Sequence, residues 1–227
     1  MSEDIRTTLL QEPTLATGSS EMKKLPPEFY RRSDVITITR DLIGKLVVTT
    51  FDGLTTSGRI VEAEAYNGPH DKAAHSYNNR RTNRTEVMFA EGGVAYVYLC
   101  YGIHQMFNIV TNQKDIPNAI LIRALEPVAG IDTMLLRSDK ITHGYDLTRG
   151  PGNVAKALGI YTRHSGMSLQ GNEIFIADDG TTYSDDEIAI TPRIGVDYAG
   201  EDALLPYRFI LKSSKYLSGK CSLNAGK

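Results

Sequence analysis

The segment RIVEAEAY, residues 59–66, spaces Glu62, Glu64 and Tyr66 two apart. In an extended strand that spacing puts all three on one face, with Val61, Ala63 and Ala65 on the other. Two carboxylates on one face suit general acid/base work at a sugar or an activated water. The same pattern also fits the solvated side of a half-buried strand. Downstream, GPHDKAAHSYNNRRTNRT carries His75 and the arginines Arg80, Arg81 and Arg84 among Asn78, Asn79, Thr82 and Asn83. Fixed positive charge beside short hydrogen-bonding side chains is what a phosphate-contacting loop needs, and a solvated charged loop has the same composition. A lone loop histidine is most often a hydrogen-bonded structural residue. His70 and His75 have a spacing seen in some zinc sites, but neither a cysteine pair nor a second histidine pair accompanies them, so no metal is expected.

A second group lies in YVYLCYGIHQMFN, residues 96–108. Tyr96 and Tyr98 share one strand face, while Tyr101 falls beside Gly102 at the end. Strand tyrosines are usually packing residues, but a tyrosine at a turn has little protein to pack against and implies a partner. Further on, Arg149 precedes Gly150-Pro151-Gly152, where the free amides of a helix start could receive a phosphate. Walker, dinucleotide and nucleophile-elbow signatures are absent.

These residues need elements to hold them. The 227-residue chain is 41% hydrophobic, which suits one globular domain. Residues 1–24 read as a poorly ordered tail and 25–227 as the domain. Pro27 suits the first turn of a short helix, and Asp34 can cap VITITRDLIG. Asp52-Gly53 supplies a tight turn between KLVVTTF and LTTSGRIVEAEAY. A long polar loop follows from Asn67 to about Glu86. GGVAYVYLCYG and IHQMFNIVT make a second hairpin and AILIRALEPV a further strand. GIDTMLLRS and NVAKALGI read as helices, and EIFIADD, EIAITPRIGV and YRFILKSS as strands. The fold class is α/β of the α+β type, dominated by antiparallel pairing.

No apolar run is long enough to span a membrane, and the N-terminus MSEDIRTTLL lacks the features of a signal peptide. Cys100 and Cys221 have no CxxC partner, which fits a reducing, intracellular compartment. The net charge of −2 gives no global reason to bind nucleic acid, so any such function rests on a local basic patch.

Taken in order, VEAEAY, GPHDKAAHS, RRTNR, YVYLCYG, FNIV, LIRALEP and RIGVDYAGEDALLPYRF resemble the alkyladenine (3-methyladenine) DNA glycosylase family over about residues 27–212. The resemblance implies a single compact domain around a curved antiparallel sheet with peripheral helices and a protruding β-hairpin. It implies a monofunctional hydrolase of base-excision repair, acting on alkylated or deaminated purines in double-stranded DNA and leaving an abasic site. Glu64 would deprotonate the attacking water and Arg123 would orient both. Tyr66, His75 and Tyr98 would wall the base pocket, and Asn108 would crowd the exocyclic amino group of normal guanine. A backbone amide near His75 would discriminate at the purine 6-position. Tyr101 would wedge into the duplex, and Arg80, Arg81, Arg84 and Arg149 would contact its backbone. No cofactor or metal enters this scheme.

Glu62 has no implied role beyond structure. Two departures stand out: Asn83 and Thr85 replace the Pro and Asn common in the family, and Lys114–Pro117 lengthens a connection. The expected protein is a monomer, in a bacterial cytoplasm or, in a eukaryote, the nucleus. Two other readings stay open. One is a carbohydrate glycosidase using Glu62 and Glu64, and the other a noncatalytic module that senses distorted DNA with Tyr101.

Overall fold

The computed structural model describes residues 22–219. Of the expected tail, residues 1–21 lie outside the described residues, and Lys23–Lys24 form the first strand, β1. Pro27 opens a one-turn helix, α1 (Pro27–Tyr30). The Asp34 carboxylate accepts from the amides of Ile36 and Thr37 and so starts α2 (Val35–Leu42). Asp52 and Gly53, both at positive φ, make the two-residue turn between β2 (Leu46–Phe51) and β3 (Leu54–Tyr66). Residues 67–94 then lead to the second hairpin, β4 (Ala95–Cys100) and β5 (His104–Thr111), followed by β6 (Asn118–Ala129). Helices α3 (Ile131–Ser138) and α4 (Pro151–Leu158) precede β7 (Ile174–Asp178), β8 (Ile188–Thr191) and β9 (Arg208–Leu211). The strand expected over EIAITPRIGV stops at Thr191, where Pro192 has no amide to give the ladder.

All strand pairs are antiparallel, in the order β1-β7-β2-β3-β6-β5-β4, with β9 joining β3 to β8. This is the expected α+β domain. The long strand β3 is its shared element. One edge pairs first with β2 and then, at residues 62–64, with β9; the other edge pairs with β6.

Alternation along the central strands divides the molecule. Val61, Ala63 and Ala65 of β3, Ala95 and Val97 of β4, Phe107 and Ile109 of β5, and Ile120 and Ile122 of β6 enter the main core, where α2, α3 and α4 cover the sheet. The other face carries the candidate chemistry. There, Tyr96, Asn108, Leu121, Glu64 and Arg208 pair residue by residue into one row across five strands. The loops 67–94 and 192–207 cover this face with two small apolar clusters, one around Met88, Phe89, Tyr96 and Val110, the other around Ala73, Val196 and Ala199.

One irregularity sits at the middle of that face. Ile60 pairs with Leu125, Glu62 with Ala124 and Ala63 with Ile122, so Val61 and Arg123 are both left out of the ladder. Two compensating bulges therefore re-aim Arg123 without shifting the register beyond them.

Replacing the α2 cap, Asp34→Ala, should lower the unfolding free energy by about 1 kcal/mol, read from denaturant midpoints, because two helix amides lose their acceptor. The catalytic rate of the folded protein should not change, since α2 lies across the main core from the site.

Candidate active site

Glu64 lies on β3 with no exposed surface, and its carboxylate is fully engaged. One oxygen accepts from the Ile194 amide at 2.8 Å. The other accepts from the Tyr66 hydroxyl at 3.0 Å and from Arg123 Nη1 at 3.2 Å. Glu62 is equally buried, so the solvated-face reading of this strand is overturned. Both carboxylates face inward: Ile194 of the loop from Pro192 closes on Glu64, Ser218 closes on Glu62, and arginines from β6 and β9 neutralise them. Burial works against the Arg123 charge, but Glu64 and Glu62 override it and hold its pKa above the ordinary value. The Tyr66 pKa rises well above its usual value through burial and then the Glu64 charge, so Tyr66 stays a hydrogen-bond donor.

Above the row lies a small, open-mouthed cavity of about 40 Å³, lined by Tyr66, His75, Tyr98 and Asn108 together with Met88, Tyr96 and Tyr198. The structure thus brings together all four residues expected to hold a base. His75 and Tyr98 meet edge to face at 4.6 Å between centroids. Asn108 donates both amide hydrogens to the carbonyls of Tyr96 and Met106, at 3.2 Å each, which fixes its orientation in the wall. The cavity opens into a wider cleft of about 670 Å³ lined by Lys72, Arg80, Arg84, Tyr101 and Arg123.

His75 can be assigned a tautomer. Arg84 Nη2 lies 3.3 Å from His75 Nε2, and arginine can only donate, so Nε2 is the acceptor. Nδ1 therefore carries the proton, which it donates to the Tyr96 hydroxyl at 2.9 Å. Burial, then the charges of Arg84 and Arg80, push the His75 pKa down to about 4.

Tyr101 stands at the cleft rim, 90% exposed and at φ +50°. With Gly102 it forms the turn of the second hairpin, closed by the Ile103 amide on the Cys100 carbonyl. A bulky side chain at positive φ is strained by roughly 1–3 kcal/mol, and here packing supplies no compensation.

The arginines expected on DNA differ in their surroundings. Arg80 is exposed on the cleft. Arg84 lies over the Tyr98 ring at 4.8 Å and so belongs to the pocket wall. Arg81 is held by Glu86 on two nitrogens and by Asp115 on a third. Asp115 lies in the lengthened Lys114–Pro117 connection, so that departure gives Arg81 an internal partner. Thr85, the other departure, organises the arginine loop by accepting from the Thr82 amide and donating to the Arg80 carbonyl, each at 2.9 Å. Arg149 lies apart from both cavities, donating to the Lys215 carbonyl at 2.5 Å.

Two site residues carry no sequence signal of their own. Arg193 forms a buried pair with Asp71, bonds the Ala65 carbonyl, and lies 4.8 Å over the Tyr66 ring, tying loop 67–75 to β3 behind the pocket. Tyr198 spans the cavity to donate to the Ala73 carbonyl at 3.0 Å. Both fall within RIGVDYAGEDALLPYRF, a motif whose residues have no individual assignment on sequence grounds.

An aromatic cavity beside a carboxylate and an arginine, on an antiparallel α+β sheet, has the shape and chemistry to receive a planar ring. Residues 28–215 match the family described as Methylpurine-DNA glycosylase (MPG), and the chain belongs to that family. It is similar to proteins provisionally named 3-methyladenine DNA glycosylase. One, from Chlamydia felis, is 44% identical over 84% of this chain and 97% of that protein. Another, from Bacillus cereus, is 45% identical over 86% and 98%. A third, from Clostridium novyi, is 42% identical over 88% and 100%. The chain is thus a DNA glycosylase, a hydrolase of N-glycosyl bonds, and the family resemblance read from its motifs is borne out.

The depressed His75 pKa has a consequence for stability. The unfolded chain takes up a proton at this residue near pH 6.5, and the folded chain does so only near pH 4. Folding stability therefore falls as pH drops through that window and levels off below it. In denaturant titrations between pH 7.5 and 4.5, His75→Gln should lose stability with acid less steeply than the wild type. Parallel pH dependences would place the titrating group elsewhere.

Proposed function

We propose that the protein takes a damaged purine out of duplex DNA, seats it between Tyr66, His75 and Tyr98, and hydrolyses its N-glycosidic bond with Glu64 and Arg123, leaving an abasic site. The observation that carries this reading is the contiguity of three features: an exposed tyrosine at the rim, an aromatic cavity, and, behind its wall residue Tyr66, a buried carboxylate paired with an arginine of the cleft. Extruding a base costs a few kcal/mol, least where pairing is already weakened. Stacking on aromatic walls returns roughly 1–3 kcal/mol per base, and Tyr101 fills the place the base leaves.

In the chemical step a water oxygen attacks the anomeric carbon and its proton passes to Glu64. The bond from that carbon to the purine nitrogen breaks, with its electron pair leaving on the base. A cationic alkylpurine accepts that pair and departs neutral. The Glu64 charge also stabilises the positive charge that builds on the sugar. Arg123 holds the carboxylate, and Asn108, fixed by its two backbone bonds, limits which purine edges fit. Water is the nucleophile, so the strand is not cut. Arg80, exposed on the cleft, and Arg84, at its lining, would meet phosphates there. Arg81 and Arg149 would have to exchange internal partners to do so. The protein would work as a monomer, and the bacterial sources of its relatives support a bacterial cytoplasm as its setting.

The carbohydrate-glycosidase reading loses its support because Glu62 and Glu64 share one arginine instead of flanking a substrate bond.

The test is a duplex carrying one alkyladenine, hypoxanthine or ethenoadenine, incubated with the protein and then treated with hot alkali. Strand breaks at the lesion are expected, and none with any lesion would sink the excision scheme. Glu64→Gln should lower single-turnover release by about 10²–10⁴-fold while keeping damaged-duplex binding. Full binding without release by the wild type would favour the sensor reading instead. Tyr101→Ser should slow release from a well-paired lesion by roughly ten- to a hundredfold, the rate equivalent of one stacked aromatic. Equal rates would remove the wedge role.

A further inference from the structure

Behind the Glu64–Arg123 pair, Glu62 and Ser218 form a second layer that the excision scheme does not use. One Glu62 oxygen accepts from Arg123 Nε at 2.9 Å, Arg208 Nε at 2.8 Å and the Ser218 hydroxyl at 2.8 Å. The other accepts from the Ser218 amide at 2.6 Å. The Ser218 hydroxyl oxygen in turn accepts from Arg123 Nε and Nη2, at 3.2 and 3.1 Å. Arg208 Nη2 completes the ring by donating to the Ser218 carbonyl at 2.8 Å. Ser218 lies seven residues beyond the end of β9 and is buried. It uses backbone and side chain alike to fill the corner between Glu62 and the two arginines.

We propose, on the reading of Glu64 and Arg123 as the catalytic pair, that Glu62 and Ser218 are positioning residues that set the direction of the Arg123 guanidinium. Arg123 sits at a bulge, outside the strand ladder, so its aim depends on side-chain contacts. Nε and Nη2 are held by Glu62 and Ser218, and this leaves Nη1 directed at Glu64. Removing the Ser218 hydroxyl deletes both of its bonds to Arg123, including the only hydrogen bond recorded for Nη2 among the described residues. The guanidinium is then free to turn toward Glu62, and the direct bond from Nη1 that orients the Glu64 carboxylate is no longer held. Misplacement of a catalytic group by about 1 Å is enough to slow a reaction on the order of a hundredfold. The segment after β9 is therefore part of the active site, though it contributes no group to the substrate.

Ser218→Ala retains the backbone bonds to Glu62 and Arg208 and removes only the hydroxyl. The expected result is a single-turnover release rate at least about tenfold lower, with damaged-duplex affinity and thermal midpoint near the wild-type values. Glu62→Gln should act in the same direction and more strongly. A role through Arg123 predicts non-additivity: in an Arg123→Ala background, adding Ser218→Ala should slow release no further. The proposal is overturned if Ser218→Ala releases base at the wild-type rate, if the double variant shows additive losses, or if rate and binding fall together in proportion to lost folded protein. Glu64→Gln run alongside separates the two levels. An active Glu64→Gln refutes the catalytic reading itself, whereas an inactive one beside a wild-type Ser218→Ala refutes only the positioning role.

Discussion

Two carboxylates and two guanidiniums, Glu62, Glu64, Arg123 and Arg208, are taken out of water side by side in the middle of a sheet. Each ion removed from water costs several kcal/mol, and mutual attraction offsets this only when geometry is close and the remaining polar atoms are satisfied. Here the charges cancel two against two, and the Ile194 amide, the Tyr66 hydroxyl and Ser218 satisfy the rest. The chain can meet those terms only if β3, β6 and β9 are in register and the paired bulges turn Arg123 inward. Sheet, loops and cavity are arranged around that requirement.

The cavity follows from the same register. Because one row of side chains runs from Tyr96 through Asn108 and Leu121 to Glu64, the aromatic wall, the Asn108 amide and the Glu64 carboxylate stand at fixed strand spacings of about 4.8 Å. A rigid sheet holds such distances better than loops do. The loops add the sides: His75 and Arg84 from one, Tyr198 and the Ile194 amide from the other. The buried Arg193–Asp71 pair locks those loops to each other and to β3.

Much of this was legible in the sequence. Strand parity assigns Glu62, Glu64 and Tyr66 to one face and Tyr96 and Tyr98 to another, and Asp52-Gly53 marks its turn without ambiguity. Parity says nothing about whether a face is wet. Burial of Glu62 and Glu64 depends on a loop more than a hundred residues away and on arginines from two other strands. Arg123 is reached by family resemblance and not by periodicity, because a bulge breaks the period at that residue. Ser218 lies in a stretch with no pattern, and only tertiary contact gives it meaning. Among the arginines, fixed charge is visible in the sequence but its partner is not. Arg81 reads like Arg80, yet Asp115, 34 residues on, engages it.

The backbone at Tyr101 has a wider consequence. A left-handed two-residue turn is built best from Asn and Gly, so for folding alone an aromatic residue is a poor choice at its first position. Under the proposed wedge role, stability and activity make opposite demands on this one site. A selection for thermal tolerance alone would favour replacing Tyr101 early, and on that proposal the sturdier protein would be less able to open a duplex.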